Sequence, residues 1–175
     1  MPDAELERAD LTEEFLSSLD RLDVGWTCTD RSGLAAALSD VIEPPAVGVS
    51  LPFEGLDLEA VDVTLHPTPA ELSDAKTGVT AAPMAIASYG SIVIQSGPDA
   101  TEMVSLFPDR HVAVLRRSDI VPDMTAAFSQ LGPVFRENPV SAILATGPSA
   151  TADMGDLVKG AHGPRSVEIV LVEDL

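Results

Sequence analysis

The segment HVAVLRR, residues 111–117, places four consecutive apolar residues between a histidine and two arginines. A strand with apolar residues on both faces is typical of a parallel sheet that is covered on both sides. VSAILAT (140–146) and SVEIVLV (166–172) have the same character, and helical patterns separate such segments along the chain. This order predicts a three-layer α/β/α fold around a mostly parallel sheet of six or seven strands.

The spacing of apolar residues predicts the helices, and residues that favour helix ends predict where the helices begin and stop. Leucines and Phe15 recur every three to five residues from Leu6 to Leu22, which predicts an amphipathic amino-terminal helix within residues 1–22 that packs on the rest. Thr68, Pro69 and Glu71 form a capping-box pattern. The 175 residues fit one domain, 1–175, because domains usually have on the order of 100–200 residues. A further helix is predicted over 33–42, and the segment 118–132 is predicted to be a connection followed by a helix that ends at Gly132.

The chain is strongly acidic, with a net charge of −18. Nucleic acid is excluded as a partner because phosphate binding needs a basic surface, and only 10 residues are basic. Only Lys76 and Lys159 are lysines. Scarce lysine with abundant Asp and Glu is expected of a protein from a salt-rich cytoplasm, where screening reduces self-repulsion. An acidic intracellular protein of ordinary origin is the alternative.

Cys28 is the single cysteine, so an intrachain disulfide or a cluster site built from several cysteines is excluded. Its expected role is that of a small buried apolar side chain. The chain has no run of 18 apolar residues, and its amino terminus is acidic where a secretory signal would be basic. We therefore expect no membrane span and a cytoplasmic location.

A candidate ligand loop begins at Thr146-Gly147-Pro148-Ser149, where the strand VSAILAT ends. Ligands of open parallel sheets bind beyond the carboxyl ends of strands, and Gly147 allows the backbone to approach a ligand closely. Ser149 and Thr151 could hydrogen-bond an anionic ligand, and Asp153 could cap the next turn or orient a group. An ordinary strand-to-helix turn has the same composition.

His162, in AHGPR, is the best acid–base candidate because imidazole titrates near neutral pH, and Gly163 follows it. A hydrogen-bonded turn histidine is the alternative. The candidate catalytic residues are therefore His162 and Asp153. His66 and His111 have no metal-ligand spacing to each other or to His162, so no metal site is predicted.

The segment GVTAAPMAIASYGS, residues 78–91, is a candidate second wall of the site. It would contribute Gly78, Thr80 and Ser88 to ligand binding, although small residues also suit close packing against a sheet. The chain contains no GxGxxG, P-loop, GxSxG or HExxH motif.

Four segments occur in order along the chain: TGVTAAPMAIASYGSIVI, SLFPDRHVAVL, TGPSATADM and KGAHGPRSVEIVLVED. Together they resemble the LUD-domain family, and within it the lactate utilisation protein C group. The resemblance implies a fold similar to ribose-5-phosphate isomerase, glucosamine-6-phosphate deaminase and CoA-transferase domains. It also implies a role beside iron–sulfur partner proteins in oxidising L-lactate to pyruvate. With one cysteine, the chain itself is expected to bind no cluster or other cofactor and to act as an accessory subunit.

The chain departs from the family pattern at three places. Ser88 stands where the family has a carboxylate, Glu102-Met103-Val104 stands where an Arg is usual, and Ala150 stands where a basic residue is frequent. Two alternatives therefore stay open. One is a separate isomerase, ligase or transferase that acts on a phosphorylated or folate-like substrate. The other is a diverged ligand binder without catalysis.

Overall fold

The computed structural model describes residues 2–53, 56–137, 139–153 and 156–173. Its α-helices are α1 (Pro2–Arg21), α2 (Leu34–Val41), α3 (Pro69–Asp74), α4 (Thr101–Leu106) and α5 (Met124–Glu137). Its strands are β1 (Gly25–Thr29), β2 (Ala46–Gly48), β3 (Val63–Leu65), β4 (Thr77–Ala82), β5 (Met84–Ile86), β6 (Ser91–Gln95), β7 (Arg110–Arg116), β8 (Ile120–Val121), β9 (Ala142–Thr146), β10 (Ala150–Asp153), β11 (Asp156–Lys159) and β12 (Ser166–Val172). Single 3-10 turns lie at Glu59–Val61, Ala87–Tyr89 and Arg117–Asp119.

The central sheet has six parallel strands in the order β1-β12-β7-β4-β2-β3. β7 lies inside this sheet, and other apolar residues cover both of its faces. This explains why its sequence is a continuous apolar run. Val112 and Val114 pack in the cluster that contains the α2 leucines, whereas Ala113 and Leu115 pack in the cluster on the opposite face. The predicted α/β fold with a mostly parallel sheet is confirmed.

A second sheet of four strands, in the order β8-β5-β6-β9, packs over the face of the central sheet that carries Leu115. β9 pairs antiparallel with β6, so the apolar segment 140–146 does not belong to the parallel sheet as predicted. Its residues Ala142–Ala145 are only half-buried, as befits the edge of a sheet. An apolar run shows that a strand is buried, and it leaves open which sheet the strand joins.

The amino-terminal helix is present as predicted and packs on both sheets. Phe15 and Leu19 are 0% exposed and lie in the cluster between the two sheets. Ser18 Oγ donates a hydrogen bond of 2.8 Å to the Ala87 carbonyl oxygen, which ties α1 to the turn after β5. The side chain of Leu6 lies outside the described part of the structure.

Two helix ends can be compared with the sequence patterns. The capping box of α3 is present, since Thr68 Oγ1 accepts from the Glu71 amide and the Glu71 carboxylate accepts from the Thr68 amide. Gly132 does not end its helix, because α5 continues through Pro133 to Glu137. Leu131 is buried and anchors this part of α5. Pro133 has no amide to donate to the carbonyl oxygen of Ser129, but Ser129 is exposed to water.

Cys28 is exposed, contrary to the expectation that it is buried. It lies on β1, an edge strand of the central sheet, and every residue of β1 is exposed or half-buried. No helix in the described ranges is both long and apolar enough to cross a membrane. The described residues also contain no group of three or more His, Cys, Asp or Glu placed to hold a metal ion.

Candidate functional site

A cavity of about 280 Å³ lies between the two sheets. Its walls are Ser105 and Leu106 of α4, the loop 146–150 that follows β9, and the loop 162–164 that precedes β12. His111 and Val167 line it from the central sheet. Ligand sites for small molecules typically occupy about 300–1,000 Å³, and this cavity, just below that range, suits a small ligand.

The cavity lies at the amino ends of the parallel strands. His111 is the second residue of β7, and Val167, its register partner, is the second residue of β12. The expectation of a site beyond the carboxyl ends of parallel strands is therefore wrong for this cavity. The reason is that β9 belongs to the second sheet, so the loop after it reaches the end of the molecule where β7 and β12 begin.

The two candidate loops contact each other directly. The Ser149 amide donates a hydrogen bond of 2.9 Å to the Pro164 carbonyl oxygen, and the Gly160 amide donates one of 2.8 Å to the Ser149 carbonyl oxygen. A Cβ on Gly163 would lie 3.2 Å from the Ser149 Cβ, so the loops are also in side-chain contact. Gly147, Ser149, His162 and Gly163 consequently line the same cavity, with His162 exposed at its surface.

Two of the predicted residues lie in the antiparallel hairpin β10-β11, which follows the loop after β9. Thr151 is half-buried and pairs with Val158 of β11; it does not line the cavity. The backbone of Asp153 pairs with Asp156, and the Asp153 side chain lies outside the described part of the structure. The predicted catalytic pair of His162 and Asp153 is therefore not visible as a contact.

The segment 78–91 supplies no residue that lines the cavity directly. Gly78 is buried in β4, where a Cβ would come within 1.9 Å of the Val104 carbonyl oxygen, so its role is to let α4 approach the sheet. Ser88 is exposed in the turn after β5, and its amide donates to the Pro122 carbonyl oxygen at 3.1 Å. Thr80 is fully buried and reaches the site through another residue.

That residue is His111, whose spacing to the other histidines in the sequence bears only on metal binding. Thr80 Oγ1 lies 2.8 Å from His111 Nε2. His111 is 3% exposed, and desolvation by burial lowers its pKa to about 4, so the imidazole is neutral at neutral pH. One signal in the sequence could have found it: His111 shares the strand face of Ala113 and Leu115, which is the apolar, buried face.

The electrostatic character of the cavity follows from its neutral lining. The described residues that line it include no Lys, Arg, Asp or Glu. Two cations on the adjacent loop segments pair with carboxylates, Lys159 with Asp23 at 2.8 Å and Arg165 with Asp109 at 3.1 Å. The Thr146 hydroxyl, which also lines the cavity, lies 2.7 Å from Ser91 Oγ. A ligand here would therefore be recognised by neutral hydroxyl, imidazole and amide groups.

Comparison with known proteins places these features in a family. The family model described as LUD domain matches residues 66–172. A lactate utilization protein C from Exiguobacterium sp. is 37% identical over 105 residues, 58% of this chain and 46% of that protein. The Bacillus subtilis lactate utilization protein C is 35% identical over 108 residues, 57% of this chain and 43% of that protein. The chain thus spans less than half the length of these two relatives.

Two further matches cover most of the chain. A lactate utilization protein C from Macrococcus caseolyticus is 30% identical over 169 residues, 87% of this chain and 72% of that protein. The crystal structure of a DUF162 family protein from Deinococcus radiodurans superposes with a TM-score of 0.74 at 22% identity, covering 94% of this chain and 98% of the other, and so supports the fold. The chain belongs to the LUD domain family.

Proposed function

We propose that this chain is an accessory component of an L-lactate utilisation system and that it binds a small carboxylate in the cavity between the two sheets. The observation that carries the proposal is the similarity to proteins named lactate utilization protein C, which includes a relative aligned over 87% of this chain. The cavity volume of about 280 Å³ suits a ligand of a few carbon atoms.

The partners in this proposal are iron–sulfur proteins that carry the electrons released when lactate is oxidised. A cluster needs several thiolate ligands, and this chain has one cysteine, Cys28, on the exposed edge of the central sheet. Removal of a hydride or of electrons from lactate requires a redox cofactor. The division of labour would place the redox chemistry on the partners and carboxylate recognition on this chain.

The alternative of a separate enzyme for a phosphorylated substrate has less support. Phosphoryl groups are usually held by Arg or Lys side chains, and the described cavity lining has neither. A diverged binder without catalysis would use the same cavity and the same ligand class. It differs from the accessory subunit only in lacking redox partners, so recovery of partners separates the two.

The experiment is affinity purification of the tagged chain from its native cells in molar salt, which screens the repulsion expected of a net charge of −18. The recovered material is analysed by mass spectrometry and assayed for L-lactate oxidation. We expect iron–sulfur proteins and lactate-dependent electron transfer to an artificial acceptor. A solitary chain that binds L-lactate without turnover would support the diverged binder, and a solitary chain without such binding would overturn both.

His162→Ala is expected to weaken L-lactate binding by about tenfold, which is the effect of losing one hydrogen bond to a charged group. The reason is that His162 lies at the surface of the cavity in the loop that contacts Ser149. Isothermal titration calorimetry of both proteins in molar salt measures the change. Because the His162 side chain is exposed, the urea unfolding midpoint of the His162→Ala variant should equal that of the parent protein.

The control for this variant is His66→Asn. His66 is also exposed, it lies outside the cavity lining, and asparagine tolerates its left-handed backbone conformation of φ 52°. Its L-lactate affinity should equal that of the parent. Equal affinity of His162→Ala and His66→Asn would remove His162 from the site.

A further inference from the structure

The pair formed by His111 and Thr80 is the most buried polar contact at the cavity. The His111 Nε2 atom and the Thr80 Oγ1 atom are 2.8 Å apart, with the two residues 3% and 0% exposed. Thr80 is on β4 and His111 on β7, two adjacent strands of the central sheet. A hydrogen bond uses one proton and one lone pair. Whether Thr80 or His111 donates that proton therefore decides which ring nitrogen carries the proton of the neutral imidazole.

Hydrogen-bond accounting assigns that proton. The Thr80 hydroxyl contacts no other partner within the described ranges, so its proton has an acceptor only if it is donated to His111 Nε2. A proton on Nε2 would leave the buried Thr80 hydroxyl proton without an acceptor, which native proteins avoid. The Thr80 hydroxyl proton and His111 Nε2 are both paired only when Thr80 is the donor. The proton of the neutral imidazole is then on Nδ1.

The position of Nδ1 follows from the same accounting. Among the described residues, no side-chain nitrogen or oxygen is both fully buried and without a hydrogen-bond partner. Within the described part of the chain the imidazole makes one hydrogen bond, through Nε2, so the same accounting implies that Nδ1 is not fully enclosed. Because His111 is almost wholly buried and lines the cavity, the cavity is the place where that remaining surface would lie.

We infer that His111 is the carboxylate-recognising group of the cavity, donating its Nδ1–H to one oxygen of a small monocarboxylate while Thr80 holds the ring in this tautomer. The inference rests on the proposed carboxylate binding and adds to it the residue pair and the direction of the hydrogen bond. Ser149 lines the same cavity, and its hydroxyl supplies a further donor.

The arrangement also explains how a carboxylate is bound without a cationic side chain. Hydrogen bonds to an ionised acceptor are stronger than those between neutral groups, and they gain further strength in a site of low dielectric constant. A ring fixed by Thr80 offers its donor in one direction without reorganisation. The ligand class is therefore a monocarboxylate of a few carbons, such as a 2-hydroxy acid or 2-oxo acid, and its neutral amide analogue should be rejected.

The first test determines the tautomer in the isolated chain. Long-range 1H–15N correlation spectra of 15N-histidine-labelled protein at pH 7 distinguish Nδ1–H from Nε2–H and from imidazolium. We expect His111 as the Nδ1–H tautomer, with a change in its Nδ1 resonance when L-lactate is added and none with L-lactamide. An Nε2–H tautomer or an imidazolium in the ligand-free protein would overturn the inference.

The second test replaces His111 by asparagine or by glutamine. Each of these amide side chains imitates one of the two ring nitrogens. Asparagine places its amide nitrogen at the position of Nδ1, whereas glutamine reaches the position of Nε2 and can accept from Thr80. We expect His111→Asn to keep L-lactate affinity within tenfold of the parent and His111→Gln to lose at least tenfold, both by calorimetry. The reverse order would show that the Thr80 contact alone matters and would overturn the inference.

The two tests separate this inference from the proposed function. Should both variants fail to fold, the tautomer and its response to L-lactate in the parent protein still decide the matter. Recovery of iron–sulfur partners with lactate oxidation, together with an Nε2–H tautomer, would refute only the role of His111. An Nδ1–H donor that responds to L-lactate in a chain that recovers no partners would refute only the accessory role.

Discussion

Replacing Gly78 by alanine is expected to lower the free energy of unfolding by about 3 kcal/mol, the upper part of the usual range for overpacking a core. The added Cβ would lie 1.9 Å from the Val104 carbonyl oxygen and 3.0 Å from Pro108 Cγ. The first obstacle is backbone of α4 and cannot rotate away, so the whole helix must shift. Urea unfolding in constant molar salt, followed by circular dichroism, measures the loss.

The matched control is Gly97→Ala. Gly97 is exposed, and the nearest atom to its added Cβ is Thr101 Oγ1 at 3.9 Å, so the free energy of unfolding should stay within about 0.5 kcal/mol of the parent. Gly78→Ala should in addition weaken L-lactate binding, because α4 carries Ser105 and Leu106 into the cavity wall. If the two alanine variants were equally stable, the close approach of α4 to β4 would be wrong.

The fold could be predicted from the sequence as far as local patterns determine it. The apolar run of β7, the spacing of Phe15 and Leu19, and the Thr68 capping box each depend on residues that are near in sequence, and the structure has all three. The division of the strands between two sheets depends on pairing between distant segments. β9 joins β6 across 55 positions at Ser91 and Thr146, and no periodicity within 140–146 encodes that partner.

The candidate site shows the same limit. Ser149 and His162 lie in loops rich in glycine and proline, which mark turns in any fold, and the structure brings both to one cavity. His111 escaped prediction because its significance arises from Thr80, which is 31 positions away on the neighbouring strand. The pattern of small residues in 78–91 predicts Ser88 in the site, whereas in the structure the segment after β5 turns beneath α1.

The second large effect is expected on acidification. Lowering the pH from 7 to 4 should reduce the free energy of unfolding by about 3 kcal/mol through His111 alone. Burial lowers the pKa of this group from the ordinary 6.5 to about 4. Between these two values the unfolded chain binds a proton that the folded chain does not, so the contribution is complete above pH 6.5 and is lost as the pH falls toward 4. Urea unfolding at closely spaced pH values and constant salt measures it.

The comparison that isolates this contribution is with His111→Asn, which lacks the titrating ring. Exposed carboxylates such as Asp23 and Asp30, whose pKa values their hydrogen-bond partners lower, titrate equally in both proteins. The difference between the two unfolding curves should therefore change with pH only in the window from about 6.5 to about 4. A difference independent of pH in that window would mean that His111 takes up a proton as readily in the folded chain as in the unfolded one. The ring would then be a cation below pH 6.5, and a neutral Nδ1–H donor would be available to a carboxylate only above that pH.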